Sequence, residues 1–249
     1  MTYRTRIGIL IGFIALFLIT TPLVIIYTAG YRWNEKKFRL EKVGIIYLRS
    51  KPSGADIFLN GELRDENTPA RLRNLLPDTY EVKVAKLGYA PWFKRLPVES
   101  AKATFAEGVI LWKNAQPEKL NLAAKDALDK TELAALNRPD QLTYKVGEET
   151  FKSDGFEIWV ENKNGDKETI TRLSHEIIAI LPYTDTGWVI YETADEIRAI
   201  ERDGRDERND TLLAAGKNLN GLAVSSDGKT LYFGSNEKTP ATLYRRLLQ

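Results

Sequence analysis

Residues 50–61 read SKPSGADIFLNG, and this stretch decides the fold predicted for the first part of the chain that follows the N-terminal apolar run. The letters KPSG favour a turn, and ADIFL favours a strand. Asn60-Gly61 is a strong hairpin signal because both positions tolerate positive φ. The stretch therefore predicts a turn, a strand and a tight hairpin in immediate succession.

Strand and turn signals also alternate on both sides of this stretch. The flanking pieces are a strand at 43–48, turns at 67–70 and 76–79, an alternating strand at 80–86, a bend at 88–92 and an apolar strand at 106–112. Short alternating runs split by turn residues are typical of all-β domains. We therefore predict a small β-sandwich over residues 43–113.

Residues 43–113 resemble the PEGA domain family, whose name comes from its turn of Pro, a variable residue, Gly and Ala. Pro52 to Ala55 carry that turn, and the family's later pieces follow in order: Thr68-Pro69, Leu76 to Val82 and Gly88-Tyr89. Ser53 stands where the family has an acidic residue, and Asp78 stands where it usually has glycine. The resemblance implies an extracytoplasmic β-sandwich of bacterial or archaeal surface proteins, often beside an anchor or a propeller, with no catalytic residues.

Residues 7–27 read IGILIGFIALFLITTPLVIIY and contain no charge. A hydrocarbon core of about 30 Å needs about 20 apolar residues of helix, so this run predicts an uncleaved transmembrane helix. A cleaved signal peptide has a shorter apolar core of roughly 7 to 15 residues. A buried core helix would show a polar stripe, which this run lacks.

Cations lie on both sides of the predicted span: Arg4 and Arg6 before it, and Arg32, Lys36, Lys37, Arg39 and Lys42 after it. A plain count would leave the large C-terminal part in the cytoplasm, but long domains translocate largely regardless of flanking charge. With the PEGA resemblance, we expect a cytoplasmic tail at 1–6 and a single pass through the cell membrane. The rest of the chain is then extracytoplasmic. The alternative role of the basic segment 28–42 is contact with anionic lipid headgroups.

Residues 114–140 are predicted to be a linker, with weak helical spacing at 124–136. Beyond it, residues 141–249 contain a repeat of about 40 residues, the size of a propeller blade. The copies lie at 157–173, 196–213 and 222–247, and Ser226 to Lys229 resemble TolB-like propeller repeats. Propellers have 4 to 8 blades, so a truncated propeller, an open stack of sheets and completion by another chain all remain open. Exposed β edges also allow a homo-oligomer.

Composition excludes several classes of function. The net charge of +2 and the lack of a basic aromatic groove argue against nucleic acid as a partner. The chain has no cysteine and one histidine, His175, which excludes disulfides, thiol catalysis and a multi-histidine zinc site. We expect His175 to be structural or exposed. No residue is predicted to be catalytic or to bind a cofactor or a metal.

One acidic cluster is a candidate calcium site: Asp203, Asp206, Glu207, Asn209 and Asp210. Its spacing does not match an EF-hand loop, so a solvated turn is the favoured interpretation.

The sequence thus predicts a mainly β protein with a transmembrane helix, a PEGA-like sandwich and blade-like antiparallel repeats. The predicted function is non-enzymatic: an envelope protein that binds the bilayer and a partner protein or cell-wall polysaccharide. The alternative is an anchored carbohydrate-active enzyme that uses a pair of carboxylates. A convergent carboxylate pair in a cleft of the C-terminal part would favour that enzyme.

Overall fold

The structure is a computed structural model that describes residues 3–120, 141–183, 187–236 and 242–249. It is mainly β, with one helix at the N-terminus. The described residues belong to two compact units. The first contains Met1–Leu48, Arg71–Tyr80 and Pro97–Ala106, and the second contains Arg49–Ala70, Glu81–Leu96 and Glu107–Gln249. The helix suggested for 124–136 lies outside the described residues.

Helix α1 covers Tyr3–Thr28 and therefore includes the whole predicted span. The segment Thr5–Thr28 has a mean hydropathy of 2.8, and none of it is buried within the protein. The helix is long and apolar enough to cross a membrane. Because it is apolar on all sides, no face of it is distinguished for packing against a protein core.

The basic segment that follows α1 forms a hairpin of two strands, which the sequence analysis did not predict. Strands β1, Tyr31–Asn34, and β2, Arg39–Lys42, pair antiparallel. The Asn34 side-chain oxygen accepts hydrogen bonds from the backbone N–H groups of Lys36 and Lys37, at 3.0 and 3.2 Å. This side chain therefore shapes the turn between the strands.

Seven strands follow within residues 43–113. They are β3 Gly44–Lys51, β4 Asp56–Leu59, β5 Glu62–Asn67, β6 Ala70–Leu75, β7 Asp78–Ala85, β8 Trp92–Val98 and β9 Ala103–Ile110. Their orders are β6-β3-β9 in one sheet and β5-β4-β7-β8 in the other. Buried residues alternate with more exposed ones along β3 and β8, so one face of each strand is turned to the interior.

The hairpin signal at Asn60-Gly61 is confirmed. Leu59 pairs with Glu62 across a two-residue loop, in which φ is +51° at Asn60 and +84° at Gly61. The Asn60 side-chain oxygen also accepts a hydrogen bond from Glu81 N, at 2.9 Å. Asparagine therefore suits position 60 for two reasons: it tolerates the positive φ, and its side chain bonds to β7.

The turn at 50–55 is held by a buried threonine from a distant part of the motif. Thr68 Oγ1 accepts a hydrogen bond from Ala55 N at 3.0 Å and lies 2.6 Å from Ser50 Oγ. Gly54 N donates to the Thr68 carbonyl at 2.7 Å. The two conspicuous pieces of the motif, at 50–55 and at 68–69, are thus parts of one hydrogen-bonded corner.

Within the described residues, the C-terminal part contains three four-stranded antiparallel sheets. The first repeat sheet has β11 Thr143–Val146, β12 Glu149–Ser153, β13 Glu157–Glu161 and β14 Lys167–Arg172, and the second has β15 Ala179–Tyr183, β16 Trp188–Glu192, β17 Glu196–Glu201 and β18 Asp210–Ala215. The third has the order β10-β21-β20-β19, formed by β19 Leu219–Val224, β20 Thr230–Ser235, β21 Thr242–Leu247 and β10 Glu118–Lys119. Its outer strand β10 comes from the segment predicted as linker.

The first two sheets share an irregularity at the same place of the repeat. A shift of register lies between Ile158 and Trp159 in β13, and another lies between Ile197 and Arg198 in β17. The copy predicted at 222–247 is out of phase with these, because Leu222 lies in β19, an edge strand of its sheet, whereas the other two copies begin in the inner strands β13 and β17. None of the described sheets closes on itself, and the propeller stays a prediction.

An apolar core of the repeats lies between the first two sheets. Ile158 and Val160 of the first sheet and Val189, Tyr191 and Ile200 of the second belong to one buried cluster. Trp112, which follows β9, is also buried, and its ring packs edge-on against Trp188 at a centroid distance of 5.4 Å.

Candidate functional site

A cleft of about 440 Å³ lies at the second repeat sheet. Its walls come from the segment between β14 and β15, from the loop between β16 and β17, and from one face of β16, β17 and β18. The lining residues are Leu173, Ser174, His175, Glu176, Ile178, Tyr191, Thr193, Ala194, Asp195, Glu196, Arg198 and Asp210.

The floor of the cleft is an ion-paired cluster around Arg198. Its guanidinium lies 3.0 Å from Asp210 Oδ1 and 3.1 Å from Glu196 Oε2. The Tyr191 hydroxyl donates to Asp210 Oδ2 at 2.9 Å. Burial and the Asp210 charge both raise the pKa of Tyr191, so its proton stays in place at neutral pH. Both oxygens of Asp210 are therefore engaged within the protein.

The rim of the cleft carries polar groups that are free to meet a ligand. Glu176 and Asp195 are exposed and make no ion pair within the described residues. The exposed His175 places Nδ1 2.7 Å from Ser174 Oγ. Four carboxylates and one guanidinium line the cleft, so its potential favours a cationic group.

Glu192, which follows Tyr191 in the all-buried strand β16, is a buried acid with no partner among the described residues. The side chain is 0% exposed, and neither carboxylate oxygen has a hydrogen bond. Burial raises its pKa to about 8. The carboxyl group is therefore mainly protonated at neutral pH.

The acidic cluster considered as a calcium site is used for binding β8. Lys94 Nζ, which is fully buried, lies 2.9 Å from Glu201 Oε2 and 3.8 Å from Asp203 Oδ2. Arg95 makes a forked contact with Asp206, which lowers the pKa of that carboxyl to about 2.

Other contacts complete this clamp. Trp92 Nε1 donates to Glu201 Oε1 at 3.1 Å, and Asn209 bonds both the N–H and the carbonyl of Phe93. Within the described ranges no group of acidic or histidine residues could hold a metal ion. Asp203 and Asp206 are thus partners of cations on β8, and the solvated turn expected there is corrected for these two residues.

The sheet pattern and the apolar helix define a class, a β-rich protein with a candidate membrane-spanning segment. Comparison with known families identifies a domain in one part of the chain. The sequence model of the PEGA domain family matches residues 43–109. No curated protein matches the chain. The PEGA resemblance is confirmed over these residues.

Sequence reasoning singled out His175 and Asp210 but did not bring them together. Their shared cleft depends on the register between β17 and β18 and on the path of residues 173–178, and neither follows from local patterns. Glu192 could have been noticed, since WVIYE is an otherwise apolar strand that ends in an acid. A strand buried on both faces makes such an acid conspicuous.

Proposed function

We propose that this protein is a single-pass, membrane-anchored extracytoplasmic protein that binds a partner protein or cell-wall polymer and has no catalytic activity. The observation that carries the proposal is the succession of α1 and a PEGA domain in one chain. The helix supplies the anchor. The β-rich remainder supplies rigid surfaces for binding.

The cleft at the second repeat sheet supports a binding role and suggests the chemistry of the ligand. Its floor is fixed by the Arg198 ion pairs, while Glu176 and Asp195 stand at its rim. Rigid scaffolds with a few exposed charges are suited to recognition. The ligand group that fits best is a cation, such as a lysine side chain or another amino group.

The carbohydrate-active enzyme is the less favoured function. It needs a carboxylic acid that keeps its proton at neutral pH, and this needs a desolvated environment. Asp210 and Glu196 are paired with Arg198, and Glu176 and Asp195 are exposed. Glu192 holds its proton, but it is fully buried and does not line the cleft.

The binding role is tested with the full chain in vesicles and a lysine-rich peptide as the probe. We expect Glu176→Gln combined with Asp195→Asn to weaken peptide binding about tenfold, which corresponds to roughly 1.4 kcal/mol. Glu62→Gln, an exposed change on β5, is the matched control and should leave the affinity unchanged. Equal affinity in all three proteins would contradict the role of the cleft.

Orientation is tested by adding protease to intact cells. An extracytoplasmic C-terminal part is digested, whereas a cytoplasmic one is protected until the cells are opened. Protection in intact cells would overturn the proposed location.

A further inference from the structure

The β1–β2 hairpin has its apolar side outward. Trp33 pairs with Leu40 across the two strands, so their side chains share one face. These residues are 54% and 47% exposed. On the opposite face, Asn34 and Glu41 are buried. A hairpin that packs on a protein core has the reverse arrangement.

The buried polar face is fully organised by its own contacts. Glu41 accepts hydrogen bonds from Asn34 Nδ2 at 2.6 Å and from Arg39 Nε at 2.7 Å. These bonds to neighbouring polar groups lower the pKa of Glu41 and keep it ionised. The arrangement is therefore stable with the apolar face turned outward.

Phe38, the last residue of the hairpin turn, has a conformation that its side chain does not favour. Its φ is +47°, in the left-handed region that glycine and asparagine adopt most easily. The ring is 80% exposed, so it contributes little to a core that would offset this cost. A residue that is costly for the backbone and unburied points to contact with something outside the protein.

The hairpin is fixed directly to the end of α1. Arg32 Nη1 donates to the Tyr27 carbonyl at 2.9 Å, and its guanidinium lies 3.8 Å from the centre of the Tyr27 ring. Val43 N donates to the Gly30 carbonyl at 3.0 Å. The hairpin is therefore held close to the end of the apolar helix, where aromatic residues meet lipid headgroups.

Positive charge surrounds the exposed aromatic groups. The hairpin carries Arg32, Lys36, Lys37, Arg39 and Lys42 against two acids, Glu35 and Glu41. Lys36 and Arg39 have mostly exposed side chains, although Lys36 also reaches Asp78 at 3.0 Å. Each such cation near an anionic bilayer contributes about 1 kcal/mol to the attraction.

We infer that the β1–β2 hairpin is a lipid-binding element, which inserts Trp33, Phe38 and Leu40 at the bilayer surface and places its lysines among anionic headgroups. This rests on the proposed membrane anchor. The hairpin would then fix the angle at which the chain leaves the bilayer, because Arg32 is bonded to the helix end and the hairpin base is closed by the bond between Val43 N and the Gly30 carbonyl.

The test uses the full chain in vesicles whose acyl chains carry bromine, which quenches tryptophan fluorescence on contact. The difference between wild type and Trp33→Phe isolates the signal of Trp33. We expect this signal to fall at least about twofold in brominated vesicles that contain an anionic lipid, and to fall less in purely zwitterionic ones.

A second variant separates lipid contact from folding. Phe38→Gly relieves the left-handed conformation, so the hairpin should be at least as stable. The quenching of Trp33 should nevertheless weaken, because the apolar tip is lost. Leu87→Ser, a change at a residue that is 99% exposed and lies outside the hairpin, is the matched control and should leave the quenching unchanged.

The outcomes distinguish the inference from the proposed function. An alkaline wash that leaves the chain in the vesicles, with Trp33 unquenched, would overturn the hairpin inference alone. Equal quenching in anionic and zwitterionic vesicles would overturn the headgroup contact. Loss of the chain in the wash would overturn the anchor and the hairpin inference with it.

Discussion

Glu192 is a buried glutamate whose protonation differs from that of an ordinary glutamate. It is surrounded by apolar groups, and its pKa of about 8 in the folded protein compares with 4.5 for an unperturbed glutamate. The folded chain therefore holds a proton on this residue over a pH range in which the unfolded chain has released it.

The pH dependence of stability follows from this difference. Below about pH 4.5 Glu192 is protonated in both the folded and the unfolded chain, so it does not reduce the free energy of unfolding. As the pH rises toward 8, stability falls by roughly 1.4 kcal/mol per pH unit, and above 8 the loss is constant. Glu192→Gln cannot titrate, so the variant should melt well above wild type at pH 8 and close to it at pH 4.5.

Thermal melts at both pH values provide the measurement. Glu62→Gln, at an exposed position, serves as the control with no expected shift. If the melting temperatures of wild type and Glu192→Gln differ by the same amount at both pH values, Glu192 is not a buried, protonated carboxyl.

At the scale of elements, the Thr68 side chain links the two pieces of the corner formed by residues 50–55 and 68–69. Thr68→Val keeps the shape and removes the hydroxyl that Ala55 N and Ser50 contact. It should lower the free energy of unfolding by about 1–3 kcal/mol, since a buried donor is left without a partner. Thr68→Ser keeps the hydroxyl and should cost less, as chemical denaturation would show. An equal loss for both variants would assign the effect to packing.

The elements also show how far the sequence could predict the structure. The strands around Asn60-Gly61 were predictable because turn chemistry and alternation act between near neighbours. The β1–β2 hairpin was missed because its pattern places Trp33 and Leu40 outward, and no local rule distinguishes that from a disordered basic segment. The cleft was missed because residues 173–178 and Asp210 meet only through the register of the second repeat sheet.

For the whole molecule, the decisive element is α1. Two charges placed in the middle of the helix, with Leu16→Arg and Ile19→Arg, should cost about 5–7 kcal/mol of insertion. We expect most of this variant to be extracted from membranes by an alkaline wash that leaves wild type in place. Leu63→Arg with Leu87→Arg adds the same charge at exposed positions outside the helix and should remain anchored. Extraction of both variants alike would contradict the spanning role of α1.

Strand β10 also determines the order in which the protein can be assembled during synthesis. Its Glu118 pairs with Arg245, a residue 127 positions further along the chain. At a ribosomal rate of roughly 5–20 residues per second, β10 is synthesised roughly 6–25 seconds before its partner. The first two repeat sheets are complete within that interval, whereas β10 has no strand to pair with. The sheet β10-β21-β20-β19 can therefore be completed only after β21 has been synthesised, however early β10 is available.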